Sequence, residues 1–163
     1  TGDKMNALDY VDVFMHRQDA DTARGENALQ IAHWSAEDWR KLFKHATPQP
    51  FRSGEVVIHQ GDRDRSLFFV GAGTLDVTAA GPNGAELLAQ VGPGSVVGEQ
   101  AFFDGQPRSA NVTGASDGVL LRIGFREFAM FGKAEQALSR DVLNALARIL
   151  STRLRSLSSR LRR

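Results

Sequence analysis

Apolar residues recur in two rhythms along the chain, and the changes between them divide it into three. Met5, Leu8, Val11, Phe14 and Met15 lie three or four apart, the spacing of one helix face over residues 5–17. Gln18 to Glu26, with Asp19, Asp21 and Gly25, reads as a polar loop, and Asn27 to Trp34 as a second short helix. Ser35 is the expected N-cap of the next helix, with Asp38 completing a capping box. That helix carries Trp39, Leu42 and Phe43, and Thr47-Pro48-Gln49-Pro50 ends it.

From Phe51 the rhythm becomes that of strands. Glu55–His59, Ser66–Val70, Thr74–Ala79, Glu86–Val91, Ser109–Thr113 and Gly118–Ile123 are short strand candidates. Glycine turns such as Gly71-Ala72-Gly73 and Gly81-Pro82-Asn83-Gly84 separate them. Many short strands at close spacing predict a barrel or jelly roll. Helical spacing then returns over Phe125–Phe131, with Gly132 as a break, and a long helix follows from about Ala134. On it Leu143, Leu146, Leu150, Leu154, Leu157 and Leu161 recur at steps of three and four. Leu143, Leu150 and Leu157 repeat every seven residues, a short heptad register that allows a homodimer through this helix. The predicted fold class is therefore α+β. A small antiparallel β-barrel (jelly roll) spans 51–124, flanked by an N-terminal helical segment at 1–50 and C-terminal helices at 125–163.

Composition narrows the chemistry. A chain of 163 residues can bury one good core, so a single domain is expected. A net charge of +1 argues for no particular partner. The absence of cysteine excludes disulfides, thiolate metal sites and a Cys nucleophile, and is compatible with a cytoplasmic protein. No run of 18 apolar residues offers a membrane span. His16, His33, His45 and His59 are dispersed, with no pair at a metal-binding spacing, so no metal is expected. No nucleophile–base relay and no Rossmann or Walker glycine loop is legible, so no catalytic residue and no enzyme activity is expected. Beyond Asp141 the chain has no acid but carries Arg148, Arg153, Arg155, Arg160, Arg162 and Arg163. Cations stabilise a helix C-terminus, and none of the six needs a partner to explain it. With no helix-turn-helix after the terminal helix, no DNA-binding domain is expected in this chain.

One stretch concentrates binding chemistry: Gly98-Glu99-Gln100-Ala101, a short loop, then Pro107-Arg108-Ser109-Ala110. A helix start beginning at Gly98 offers backbone N–H groups to an anion. Arg108 adds a planar set of donors suited to phosphate oxygens. Glu99 is an acceptor that would repel a phosphate and welcome a sugar hydroxyl. Gly98 and Ala101 are small enough to let a ligand approach the backbone. An anionic group beside a hydroxyl describes a ribose fused to a cyclic phosphate.

This stretch resembles the phosphate-binding cassette of the cyclic-nucleotide-binding domain family, which includes regulators of transcription, kinases and channels. Gln100 departs from the pattern, standing where the family usually has an apolar residue. The likeness extends to Gly54-Glu55-Val56-Val57-Ile58, Gly61-Asp62, Leu67-Phe68-Phe69-Val70 and Gly73-Thr74-Leu75-Asp76-Val77, and covers about Leu42 to Phe131. The resemblance implies a sensor of cAMP or cGMP, with no other cofactor. Gly98, Glu99, Gln100, Ala101, Arg108, Ser109 and Ala110 are its implied ligand-binding residues. It also implies a terminal helix that moves on binding and closes over the purine, for which Leu143, Asn144 and Ala147 are candidates by position, with a hinge at Phe131-Gly132-Lys133. The competing reading is a barrel that has lost its ligand and serves as a protein-interaction or dimerisation module.

Overall fold

Strand β3 (Leu67–Ala72) explains the architecture, because both of its faces are buried. A computed structural model of the chain describes residues 5–16 and 27–161. Within it, Phe68 and Val70 point one way into a cluster with Phe51, Leu75, Val91 and Leu120. Leu67 and Phe69 point the other way, to Phe14, Trp39, Phe43 and Phe131. A strand covered on both sides reads as a continuous apolar run rather than an alternating one.

Two four-stranded antiparallel sheets enclose the first cluster. One runs β1 (Thr47–Phe51), β8 (Gly118–Ile123), β3, β6 (Val96–Val97). The other runs β2 (Val56–Ile58), β7 (Asn111–Gly114), β4 (Leu75–Gly81), β5 (Gly84–Val91). The expected jelly roll is thus present as a sandwich of two sheets. The helices cover the outer face of the first sheet. They are a 3-10 turn at Ala7–Tyr10 leading into α1 (Val11–His16), then α2 (Ala36–Phe43), α4 (Phe125–Ala134) and α5 (Gln136–Leu161); α3 (Glu99–Asp104) lies between β6 and β7. Phe14 is fully buried, with ring centroids 5.0 Å from Phe43 and 6.1 Å from Phe69. Truncating such a side chain to alanine costs about 3–5 kcal/mol. The capping box at Ser35 and Asp38 forms as expected.

Four expectations need correction. Asn27–Trp34 is not helical: Ala28 bridges Ser95, and Leu29 N donates to the Gly94 carbonyl at 3.0 Å. Leu29 and Ile31 are both buried, and their two-residue spacing is that of an extended segment. Thr47–Phe51 does more than stop a helix, because it forms β1 despite two prolines. That is possible because β1 lies at the edge of its sheet, pairing only with β8. Gly132 does not break α4; the helix runs to Ala134, and the backbone turns at Glu135 (φ −136°, ψ 72°). Finally, the core face of α5 is Val142, Ala145, Leu146 and Ile149, leaving Leu143, Leu154, Leu157 and Leu161 exposed. The expected loop at Gln18–Glu26 and the last two arginines lie outside the described residues.

Candidate functional site

The local backbone of the cassette is set by glycine and clamped by arginine. Gly98 caps α3 with φ at +86°. A Cβ there would sit 2.6 Å from Arg108 Nη1 and 3.1 Å from the Ser66 carbonyl, so only glycine lets the guanidinium come so near. At the far end of α3, Arg65 Nη2 donates to the carbonyls of Phe102 (2.7 Å) and Phe103 (3.1 Å). The Arg65 guanidinium also lies 3.9 Å from the ring centre of Phe125, tying α3 to α4. With six residues, α3 has a weak dipole, so positive potential here comes chiefly from arginines.

Arg108 is held from both ends. Its backbone N–H donates to the Asp62 carbonyl at 2.7 Å, and its carbonyl accepts from Gly61 N at 2.8 Å. Its side chain is 3% exposed. Nη1 donates to the Gly98 carbonyl at 2.8 Å, while Nη2 donates to the Ser66 carbonyl at 2.8 Å and to Asp64 Oδ2 at 3.0 Å. A guanidinium has five N–H donors. Three are engaged; Nε–H and one Nη1 hydrogen have no partner among the described residues. Burial pushes the Asp64 carboxyl up, but bonds from Ser66 and Arg108 outweigh that and hold it below the usual range.

Glu99 is 1% exposed. Its Oε1 is paired with Arg153 Nη1 of α5, and its Oε2 has no hydrogen-bond partner. Burial raises this carboxyl above its ordinary range, opposed by the charges of Arg153 and Arg108. On the surface, Ser109 Oγ donates to Gln100 Oε1 at 2.7 Å.

All seven expected residues (Gly98, Glu99, Gln100, Ala101, Arg108, Ser109 and Ala110) line one cavity of about 430 Å³. Its apolar walls are Ile58, Val77, Val97 and Val112, and Arg153 completes it. A second space of about 720 Å³ adjoins it, sharing Val77, Gln100, Ser109, Ala110 and Arg153. Leu88 and Ala89 of β5 and Leu157 and Arg160 of α5 extend that space. Among the described residues no Asp or Glu lines the outer space, whereas two arginines do. Among the described residues, no group of three His, Asp or Glu gathers as a metal site, and no helix is long and apolar enough to cross a membrane.

Two expectations about α5 are overturned. Leu143, Asn144 and Ala147 line neither cavity; Arg153, Leu157 and Arg160, further along the helix, do. The first turns of α5 are committed to the core through Val142, Leu146 and Ile149, so the helix reaches the cavity mouth only later. Arg153 is also no mere solvated end-of-helix cation, since it is paired with a buried acid. Nothing in the local sequence marks it: 54 residues separate it from Glu99. Asp64 and Ser66 were equally silent as partners of Arg108.

Residues 48–134, just over half the chain, match the cyclic nucleotide-binding domain. A Pycsar effector protein of Xanthomonas perforans is 33% identical over 102 residues, covering 62% of this chain and 32% of that protein. A cAMP-dependent protein kinase regulatory subunit of Mycosarcoma maydis is 31% identical over 91 residues, covering 55% of this chain and 17% of its own length. The chain thus spans a third or less of these curated relatives. Among solved structures, a cyclic nucleotide-binding domain from Methylobacillus flagellatus superposes with a TM-score of 0.80 at 22% identity, covering 95% of this chain and 84% of its own. That last likeness concerns the fold. Taken with the family match across the strands and the cassette, it means that this chain belongs to the cyclic nucleotide-binding domain family.

Proposed function

We propose that this chain captures a cyclic mononucleotide, cAMP or cGMP, in the cytoplasm and passes the event on through α5. The observation that carries the reading is a pair of buried, opposite charges lining one cavity, each with capacity unspent. Among the described residues, Arg108 has two N–H donors without a partner and Glu99 has an oxygen without a donor. A buried polar group without a partner is costly, and a ligand that supplies one relieves that cost. A cyclic phosphate would accept from Arg108, and the ribose 2′-hydroxyl would donate to Glu99. The base would extend into the outer space between β5 and α5, near Leu88 and Leu157. Similarity to a regulatory subunit of a cAMP-dependent kinase supports the ligand class.

The alternative, an interaction module without ligand, gains nothing from keeping this pair in one cavity. Exposed Leu154 (64%), Leu157 (52%) and Leu161 (78%) do favour one further role for α5, a seam with a second copy of the chain. Sedimentation of the wild type against Leu154→Glu tests it: a dimer lost in the variant supports the seam, and a monomeric wild type removes it.

Thermal unfolding with and without nucleotide tests the central reading. Ligand at a hundred times its dissociation constant stabilises by about 2.7 kcal/mol. For a chain of this size that raises Tm by roughly 5–10 °C. No shift with millimolar cAMP or cGMP refutes it.

A further inference from the structure

We propose that Asn27 reads the edge of the base and makes this a site for cAMP rather than cGMP. The proposal rests on the ligand assignment above and concerns the choice between its two nucleotides. Asn27 lies outside residues 48–134, so the family match assigns it no role. Its backbone is fixed to the strand that delivers the cassette. The Asn27 carbonyl accepts from Val96 N at 2.9 Å, Ala28 bridges Ser95, and Leu29 N donates to the Gly94 carbonyl at 3.0 Å. Val96 and Val97 run straight into Gly98.

The Asn27 side chain lines the outer space, the residue is 4% exposed, and its Oδ1 is buried with no hydrogen-bond partner among the described residues. Gln100 and Ser109 line the same space but bond each other at 2.7 Å. Leu88 and Leu157 offer apolar cover to the faces of a ring, which leaves its edge to a polar group. A buried acceptor is costly until an N–H reaches it. A carboxamide presents one acceptor beside a donor group. Adenine matches it on two edges, because its amino group stands between N1 and N7, both acceptors. The pairing of asparagine with N6 and N7 is a common one in base recognition. Guanine carries O6 in place of the amine, so its N7 edge shows two acceptors and leaves Oδ1 unpaired. Its N1–H edge alone fits. The side chain suited to O6 and N7 of guanine is an arginine. Arg160 is available in the outer space but is exposed, where water competes for its donors.

Calorimetry of the wild type and Asn27→Ala with three ligands tests this: cAMP, cGMP, and the cyclic phosphate of purine riboside, which has hydrogen in place of the adenine amine. A bidentate base contact is worth about 5- to 150-fold in discrimination. The wild type should prefer cAMP to each of the other two by a factor in that range. In Asn27→Ala cAMP should weaken by a similar factor, and cAMP and its amine-free analogue should bind alike. Asn27→Leu, close in volume and without polar atoms, should behave as Asn27→Ala and guards against a loosened segment. A wild type that binds cGMP as tightly as cAMP overturns the proposal. So does a variant that keeps the full preference, or one that loses the same factor for all three ligands, which marks a purely structural role. Binding of neither nucleotide by the wild type removes the ligand assignment itself, whereas a preference for cAMP that survives both substitutions removes only the role of Asn27.

Discussion

Replacing Arg108 by alanine should damage stability and binding separately, and the structure sizes each loss. The guanidinium satisfies two carbonyls and one carboxylate from a side chain 3% exposed. Breaking a buried pair by removing one partner costs about 3–5 kcal/mol. Asp64 is 45% exposed and can rehydrate or lean on Arg122, 3.7 Å away, so the cost falls around or below the lower end of that range. We expect a loss of roughly 2–4 kcal/mol, seen as a Tm lower by about 5–15 °C. Binding loses the counter-charge of the phosphate, about 2–5 kcal/mol, or roughly thirtyfold to several thousandfold in affinity. Arg108→Lys keeps the charge but cannot reach both carbonyls and the ligand together, so it should recover part of the binding and little of the stability. Urea unfolding gives the first quantity and calorimetry on folded protein the second. Wild-type affinity in folded Arg108→Ala would refute the phosphate assignment; wild-type stability would refute the clamp.

Two more expectations follow from single residues. Gly98→Ala and Gly54→Ala impose similar strain, since both glycines have φ near +87°, but an added Cβ meets nothing at Gly54 and meets Arg108 at Gly98. Each should lose about 1–2 kcal/mol to strain; only Gly98→Ala should lose further stability and nucleotide affinity, and equal effects on calorimetric affinity would count against the close approach. His45 carries a buried Nε2 without a partner, and burial, reinforced by the Lys44 charge and opposed by Glu127, holds its imidazole below the ordinary value. A depressed pKa means the fold favours the neutral ring. Its contribution is therefore present above about pH 6.5 and lost as pH falls through the lower folded value. Urea titrations at pH 7.5 and 5.5 should show a smaller acid loss in His45→Gln than in the wild type.

The sequence made the cassette legible because its parts are local. Gly98 to Ala101 and Arg108 to Ala110 are brought to one cavity by a six-residue helix and one loop. The partners of those residues were not legible. Asp64 and Ser66 reach Arg108 across 44 and 42 positions, and Arg153 reaches Glu99 across 54. A run of arginines on a helix end looks the same whether or not one of them turns inward. The strands that were read correctly carry apolar runs bounded by glycine, as at Leu67–Val70. Those missed lacked that signature: β6 is two residues long, and β1 holds two prolines. On α5 the leucines drew attention to a face that is largely solvent-exposed, while Val142, Ala145 and Ile149 made the core contact.

The prolines of β1 have an effect beyond this fold. Successive residues of a strand direct their backbone groups alternately to the two sides. Pro48 and Pro50 share a parity opposite to Thr47, Gln49 and Phe51, and only β8 flanks the strand. The outward rim thus offers carbonyl oxygens but no amide hydrogens. A neighbouring polypeptide trying to extend the sheet would find half of its zipper missing, which protects a crowded solution of this protein from joining rim to rim.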